Sequence, residues 1–353
     1  MAKIQKQFEE FHDNIKLGRF EENATLREKR DIIINKIKDG IKKKFEDEGK
    51  KVPTLEFIDQ GSYAVDLGIN PEDGDFDIDE GVIFDLYKED YSDSVEPKKW
   101  VRDIMDGHTK IPAKIKKPCV TITYSLDNEP AYHVDLPIYF KSIYDNRLYL
   151  AWGKEFSSEE NKKWEVADPK GLNNHINNAF TGDAKKQFKR VVRYLKKWKD
   201  ICFSSEGNER PASIGITIAA TDLFNYEQKY NSIKGKYEDD DMAALSNLVW
   251  NISACFTDKW DSDRQEWLKT IKVSLPVEPY SNLFEKMSNL QMNNFYNELN
   301  ELYDALQEAA GKDDAHDACE ILTKYFGVEF PVPPATENRY QTQKSSAPST
   351  NFA

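Results

Sequence analysis

The chain has 353 residues, 39% hydrophobic and 12% aromatic, long enough for about two packed lobes and too apolar to be a disordered protein. Its formal charge of −13 at pH 7 would repel a polyanion, which argues against a protein that grips duplex DNA or tRNA. No run of about 18 apolar residues occurs and the charged start lacks a signal-peptide core, so neither a membrane span nor export is expected and the chain is assigned to the cytoplasm.

Residues 4–51 read as helix, with Phe8, Phe11, Ile15 and Leu17, then Leu26, Ile33, Ile34, Ile37 and Ile41 at near-helical intervals and a break at Gly18. Strands are predicted at 54–60, 76–85, 118–124, 131–140 and 148–152, each bounded by Gly, Pro, Asn or Asp, with a helix at 97–105 between them. Residues 52–167 are therefore expected to form a mixed α/β lobe on which the helices of 1–51 pack. After Asp168-Pro169-Lys170-Gly171 the texture turns helical. A helix starting near Asp183 carries Phe188, Val192, Leu195 and Trp198 on one face, and further helices are predicted at 213–224, 241–255, 281–310 and on to about Tyr325. Residues 168–333 thus read as a helical lobe, and 334–353, rich in Thr, Ser, Gln, Asn and Pro, as a disordered tail. Cys119, Cys202, Cys255 and Cys319 stand far apart and the five His are dispersed, which predicts reduced thiols and no zinc site.

The chemistry is concentrated in two blocks, Asp59-Gln60-Gly61-Ser62-Tyr63 and Asp77-Ile78-Asp79-Glu80-Gly81. Positions i and i+2 of a strand share a face, so Asp77 and Asp79 present two carboxylates to one site while Ile78 packs into the core. Such a pair is a hard oxygen site of the kind Mg²⁺ takes together with substrate phosphates. An acidic run is more often a solvated loop, but this one, Glu72 to Glu80, leads directly into the apolar Val82-Ile83-Phe84. A third carboxylate, Asp135, lies inside the apolar strand Tyr132-His133-Val134-Asp135-Leu136-Pro137. Alone it could answer a nearby Arg; with the pair it completes the set that two-metal phosphoryl transfer requires. Gly61-Ser62 supplies a turn whose backbone N–H groups and hydroxyl can approach phosphates, although the pair alone is only a turn. Downstream, Lys185, Lys186, Lys189, Arg190, Arg193, Lys196, Lys197 and Lys199 form a basic island in an acidic chain, either a solvated helix face or a triphosphate clamp.

In order and spacing, Gln60-Gly61-Ser62, Asp77-Ile78-Asp79-Glu80-Gly81, His133-Val134-Asp135-Leu136-Pro137-Ile138-Tyr139 and the ending Tyr325-Phe326-Gly327-Val328-Glu329-Phe330-Pro331 resemble the polymerase-β-like nucleotidyltransferases. More closely, they resemble the bacterial cGAS/DncV-like (CD-NTase) family of antiphage CBASS systems. The resemblance implies an α/β fold of the α+β kind: a nucleotidyltransferase lobe with a mixed sheet packed against a helical lobe, nucleotides lying between. It implies a cyclic oligonucleotide synthase making a second messenger, a cyclic dinucleotide foremost, from nucleoside triphosphates such as ATP and GTP with release of pyrophosphate. Two Mg²⁺ ions, replaceable by Mn²⁺, would sit on Asp77, Asp79 and Asp135; Gln60, Gly61 and Ser62 would bind substrate.

Family members are similar in placing a basic residue on the helix after the sheet, here Arg193 or Lys196 with Lys197 beside them, and a Ser about twenty residues later, here Ser213, which also suits a helix N-cap. A product-activated effector protein and no DNA template are implied, and the tail resembles those joined through their last residue, here Ala353, to targets by ubiquitin-transfer-like partners. Glu80 departs from the apolar residue many nucleotidyltransferases carry, and Asp75-Phe76-Asp77 leaves open a register two residues earlier. The rival readings are a template-independent enzyme adding nucleotides to RNA or protein, and a non-catalytic nucleotide-binding relative.

Overall fold

The structure, a computed structural model, describes residues 3–17, 21–70, 76–126, 129–204 and 209–335. Gly18, Glu72, Asp73, Asp75 and the tail from residue 336 to Ala353 lie outside the described residues.

The chain opens with α1 (Gln5–Ile15) and α2 (Glu21–Asp47), then runs through β1 (Leu55–Gln60), the single turn α3 (Gly61–Ala64) and β2 (Phe76–Tyr87). Helix α4 (Glu96–Ile104) leads to β3 (Lys114–Ile115), β4 (Cys119–Leu126), β5 (Glu129–Lys141), β6 (Leu148–Trp152) and β7 (Lys163–Ala167). These strands form one mixed sheet in the order β1-β2-β5-β4-β3, with β6 on β5 and β7 on β6. Strands β2 and β5 are parallel and the other neighbours antiparallel.

One face of the sheet is closed by α2 and α4. Ile33, Ile37, Ile41 and Phe45 at helical spacing meet Val82, Phe84, Val134, Leu136, Ile138 and Phe140 at strand spacing, with Trp100 and Val101 from α4. A fully buried side chain of this size contributes roughly 1.5–3 kcal/mol, so this face anchors the strands that carry the carboxylates. Beneath the edge of the sheet the buried Lys98 of α4 donates to the carbonyls of Lys116, Lys117 and Gly153, at 3.1 Å and 2.8 Å for the first two. Burial lowers its pKa to about 8, and the three carbonyls are what make an ammonium tolerable there.

The second core is helical. It contains α5 (Pro169–Asn178), α6 (Gly182–Cys202), α7 (Ser213–Leu223), the hairpin β8 (Gln228–Asn231) with β9 (Lys236–Asp239), α8 (Asp241–Ala254), the hairpin β10 (Thr257–Asp261) with β11 (Glu266–Thr270), α9 (Asn289–Gly311) and α10 (Ala315–Phe326). Helix α6 is its axis, with Phe188, Val192, Leu195 and Trp198 all buried. The two N-terminal helices part company: α1 sends Phe8 and Phe11 onto Tyr194, Phe326 and Phe330 in the helical core, whereas α2 lies on the sheet.

Residues 281–310 were expected to be one helix, but α9 starts at Asn289. Ser288 and Gln291 form a capping box there, and the Asn282 side chain accepts from Val273 and Phe284 N–H groups in the preceding loop. Both hairpins, β7 and α5 escaped the sequence reading. All four cysteines are free thiols, and no helix among the described residues is long and apolar enough to cross a membrane.

Candidate active site

Strands β2 and β5 run parallel and in register, which sets Asp77 beside His133 and Asp79 beside Asp135. Val134 and Leu136 turn into the α2-covered core and Ile78 is fully buried, so the alternation of the strands sends the three aspartates to the opposite face. One carboxylate oxygen from each of Asp77, Asp79 and Asp135 lies within 4.8 Å of the other two. Burial, and then the charge of Asp135, push Asp79 up to about 6, with Lys116 pulling the other way. Asp135 accepts a hydrogen bond from the Thr121 hydroxyl and faces the Lys116 ammonium at 3.6 Å. Three carboxylates converging on one face, one of them raised by burial and by its neighbour's charge, fit a hard divalent cation.

Glu80, the departure noted in the sequence, belongs to the other face. It is 3% exposed, and burial together with the neighbouring Asp59 raises it to about 8. Arg30 of α2 binds that Asp59 at 2.6 Å, so Glu80 belongs to the packing of α2 on the sheet and not to the carboxylate cluster.

The glycine turn closes over the aspartates. Gly61 has φ +65°, and a Cβ there would lie 2.0 Å from Asp79 Oδ2, so only glycine lets the backbone pass this close. Gln60 accepts from the Tyr139 hydroxyl at 3.1 Å, and its buried Nε2 has no partner among the described residues.

Gly61, Ser62, Asp77 and Asp79 form one wall of a cavity of about 350 Å³ whose other wall carries Lys196, Asp200 and Ser213. Lys196 donates to Leu67 O at 2.9 Å; burial, followed by the cations Lys199 and Arg193, lowers it to about 7. Lys199, not among the candidates chosen from sequence, donates to Ser213 Oγ at 2.6 Å and pairs with Asp200 at 3.0 Å. The only trace of it in the sequence is its membership in the basic island. Ser213 is the first residue of α7 and Ala212 is the N-cap, so the expected capping role is not observed. A second cavity of about 930 Å³ adjoins the first through Leu172 and Ile214, and Gln60, Tyr139, Trp164 and Phe284 line it.

The structure does not bring the other two cations to this cavity. Arg193 donates to Asp66 and to the Asp66 and Gly68 carbonyls at 2.8–3.1 Å, and Lys197 pairs with Glu329 at 2.7 Å, each at 5% exposure or less. Arg190 likewise pairs with Asp239 and Asp241. For Arg193 and Lys197 the solvated-face alternative does not hold, because α1, the 66–68 loop and the chain at Glu329 cover them, whereas Lys186 at the start of the helix is exposed.

Residues 55–139 match the family described as Cyclic GMP-AMP synthase DncV-like, nucleotidyltransferase domain. A Cyclic GMP-AMP synthase from Escherichia albertii is 31% identical over 169 residues, 45% of this chain and 35% of that relative; the matched stretch is about a third of the relative's length. Among solved structures, Vibrio cholerae DncV cyclic AMP-GMP synthase in complex with nonhydrolyzable GTP superimposes with a TM-score of 0.67 at 17% identity, over 90% of this chain and 93% of that one. The Bradyrhizobium diazoefficiens CD-NTase CdnG in complex with GTP does so at 0.66 and 13%, over 93% and 96%. At such identities the likeness shows the fold, which is the polymerase-β-like nucleotidyltransferase fold expected from the sequence.

Proposed function

We propose that the chain is a cGAS/DncV-like nucleotidyltransferase, a family whose domain description matches residues 55–139, and that it joins nucleoside triphosphates into a cyclic oligonucleotide. The observation that carries this reading is the meeting of Asp77 and Asp79 with Ser62, Lys196 and Ser213 around one cavity, carboxylates on one wall and phosphate-binding groups on the other. ATP and GTP are the substrates we favour, since Vibrio cholerae DncV has been captured with both.

In this reading Ser62 and the backbone of the Gly61 turn hold the β- and γ-phosphates of the donor nucleotide, and Lys196 and Ser213 hold the far end of the triphosphate. Lys199 fixes the Ser213 hydroxyl. A ribose hydroxyl of a second nucleotide attacks the α-phosphorus in line: its O–P bond forms, the bond to the β-phosphate oxygen breaks, and pyrophosphate leaves. Asp135, on the sheet side of the cluster, takes the hydroxyl proton or passes it to water. A second transfer closes the ring. Divalent cations such as Mg²⁺ or Mn²⁺, held by Asp77, Asp79 and Asp135, would lower the pKa of the attacking hydroxyl and neutralise the departing charge. Gln60, whose side chain lines the larger cavity, would contribute to binding the nucleotide. The cyclic product would then activate a separate effector protein in antiphage defence.

Incubation with labelled ATP, GTP, CTP and UTP and Mg²⁺ or Mn²⁺, followed by phosphatase, tests the proposal. A phosphatase-resistant product carrying no terminal phosphate supports it. Only linear products would favour template-independent transfer, and no product with any combination would favour a non-catalytic nucleotide binder.

A further inference from the structure

A second polar cavity, about 440 Å³, lies behind the glycine turn. Lys16, Arg27, Arg30 and Arg193 line it together with the carboxylates of Asp59 and Asp66, an excess of two positive charges. Both carboxylates are already engaged, Asp59 by Arg30 at 2.6 Å and Asp66 by Arg193 at 2.9 Å, and Arg30 also pairs with Asp31, outside the lining, at 3.0 Å. Lys16 pairs with Asp13, which is 65% exposed and stands outside the lining. Arg27 donates to the Tyr63 hydroxyl and lies 5.8 Å from the centre of that ring, an arrangement that leaves guanidinium N–H groups for an anion.

The wall between this cavity and the catalytic one is thin. Leu17, Ser62 and Gly68 border both, Leu17 N–H donates to Gly68 O at 3.2 Å, and the Leu17 side chain rests where a Cβ on residue 68 would meet it at 3.1 Å. Ser62, the residue expected to hold the donor's phosphates, therefore faces a cationic chamber on its other side.

We propose that the cavity lined by Lys16, Arg27, Arg30 and Arg193 behind Ser62 is a binding site for pyrophosphate, receiving the leaving group of the transfer reaction. This rests on the nucleotidyltransferase reading given above. The chemistry fits: pyrophosphate is a compact polyanion, the Arg27 guanidinium can bind its oxygens bidentately and the Lys16 ammonium adds a point charge, while Arg30 and Arg193, held by their own partners, add positive charge to the wall. The nucleoside end of a triphosphate has no counterpart among these charged side chains, which separates this cavity from the substrate's own.

Titration calorimetry of the full chain with sodium pyrophosphate in EDTA, paired with steady-state product inhibition, tests the assignment. Lys16→Ala/Arg27→Ala is expected to weaken pyrophosphate binding at least tenfold and to raise its inhibition constant to match, while the KM for ATP moves less than twofold; Arg27→Lys should recover part of the loss. Lys196→Ala/Ser213→Ala, which alters only the catalytic cavity, should retain pyrophosphate binding in calorimetry. Equal rises in inhibition constant and KM would overturn the proposal, because the cations would then belong to the triphosphate site. Pyrophosphate binding that survives Lys16→Ala/Arg27→Ala and is lost in Lys196→Ala/Ser213→Ala would overturn it too, as would inorganic phosphate competing as well as pyrophosphate. If the wild-type chain binds pyrophosphate as described yet makes no product from any triphosphate, the site stands as an anion site and the nucleotidyltransferase reading fails alone.

Discussion

Asp79 and Asp135 are register partners on parallel strands β2 and β5, so the separation of their carboxylates is set by the sheet and not by loop motion. Two carboxylates held side by side repel, and burial adds to the cost; together they bring Asp79 to about 6. The sign of the linkage is definite. A carboxyl raised in the folded state favours folding most below its unfolded pKa, and that advantage is lost as pH rises through about 6. Above that range ionised Asp79 destabilises the metal-free protein by up to about 3 kcal/mol. Asp79→Asn is thus expected to raise the melting temperature in EDTA at pH 7.5 and to give no gain at pH 4. Millimolar Mg²⁺ should stabilise wild type at pH 7.5 and not the variant. In the radiolabel assay Asp77→Ala/Asp79→Ala should yield no product while retaining a cooperative melt; wild-type activity in it would refute the site.

Gly61→Ala makes an independent demand on the same cluster. The new methyl would sit 2.0 Å from Asp79 Oδ2 on a backbone at φ +65°, so either the turn or the carboxylate must move. Misplacing a reacting group by about 1 Å can cost about 100-fold in rate, and a loss of at least that size is expected, with a melting temperature lowered by a few degrees. Turnover within threefold of wild type would mean that the turn and the cluster are not mechanically linked.

The carboxylates were legible because Asp77 and Asp79 share a strand face by parity, and an Asp inside the apolar run 132–137, which alone could answer a nearby Arg, completes a set with them; that Asp135 joins their face follows from the β2–β5 register, which the sequence does not show. The cations were not. A helical wheel places Arg193 and Lys197 opposite the apolar stripe of α6, but it cannot know that α1, Gly68 and Glu329 wrap that side. The two hairpins were invisible for the opposite reason: Tyr230, Tyr237, Trp260 and Trp267 lie on exposed surfaces, so the strands carry no inward alternation. Asp168-Pro169, read as the boundary between textures, is in fact the start of α5, where Asp168 caps Gly171 N–H at 2.8 Å.

Lys98 tests how the sheet edge near Asp135 is held. Its ammonium satisfies three backbone carbonyls in a fully buried position. Lys98→Met keeps the length and strands those acceptors, which should cost about 2–5 kcal/mol by analogy with breaking a buried charged contact. Chemical denaturation should register this as a lower midpoint at unchanged slope. A midpoint within experimental error of wild type would mean that water replaces the ammonium without loss.

Lys196 and Arg193, three residues apart on α6, should separate cleanly into ligand binding and folding. Arg193 spends its guanidinium on Asp66, Gly68 O and His12, so Arg193→Ala is expected to lower the melting temperature and leave the KM of the surviving folded fraction near wild type. Lys196 borders the cavity with a single described acceptor, Leu67 O, and Lys196→Met should raise the KM for triphosphate by about 10- to 150-fold, the equivalent of one lost charge-assisted hydrogen bond of roughly 1.5–3 kcal/mol. The pH dependence sharpens the distinction. Burial and the neighbouring cations hold Lys196 near 7, so in the unliganded protein it is charged below that pH and largely neutral above it. A triphosphate selects the charged form, and each pH unit above about 7 should then weaken binding up to tenfold while the bound proton must be taken from solvent. Nucleotide affinity measured from pH 6 to 9 with a nonhydrolysable analogue is expected to fall across that range in wild type and to lose this component in Lys196→Met. Parallel profiles for the two proteins, or an Arg193→Ala variant that keeps its melting temperature and loses nucleotide affinity, would exchange the roles assigned to these two side chains.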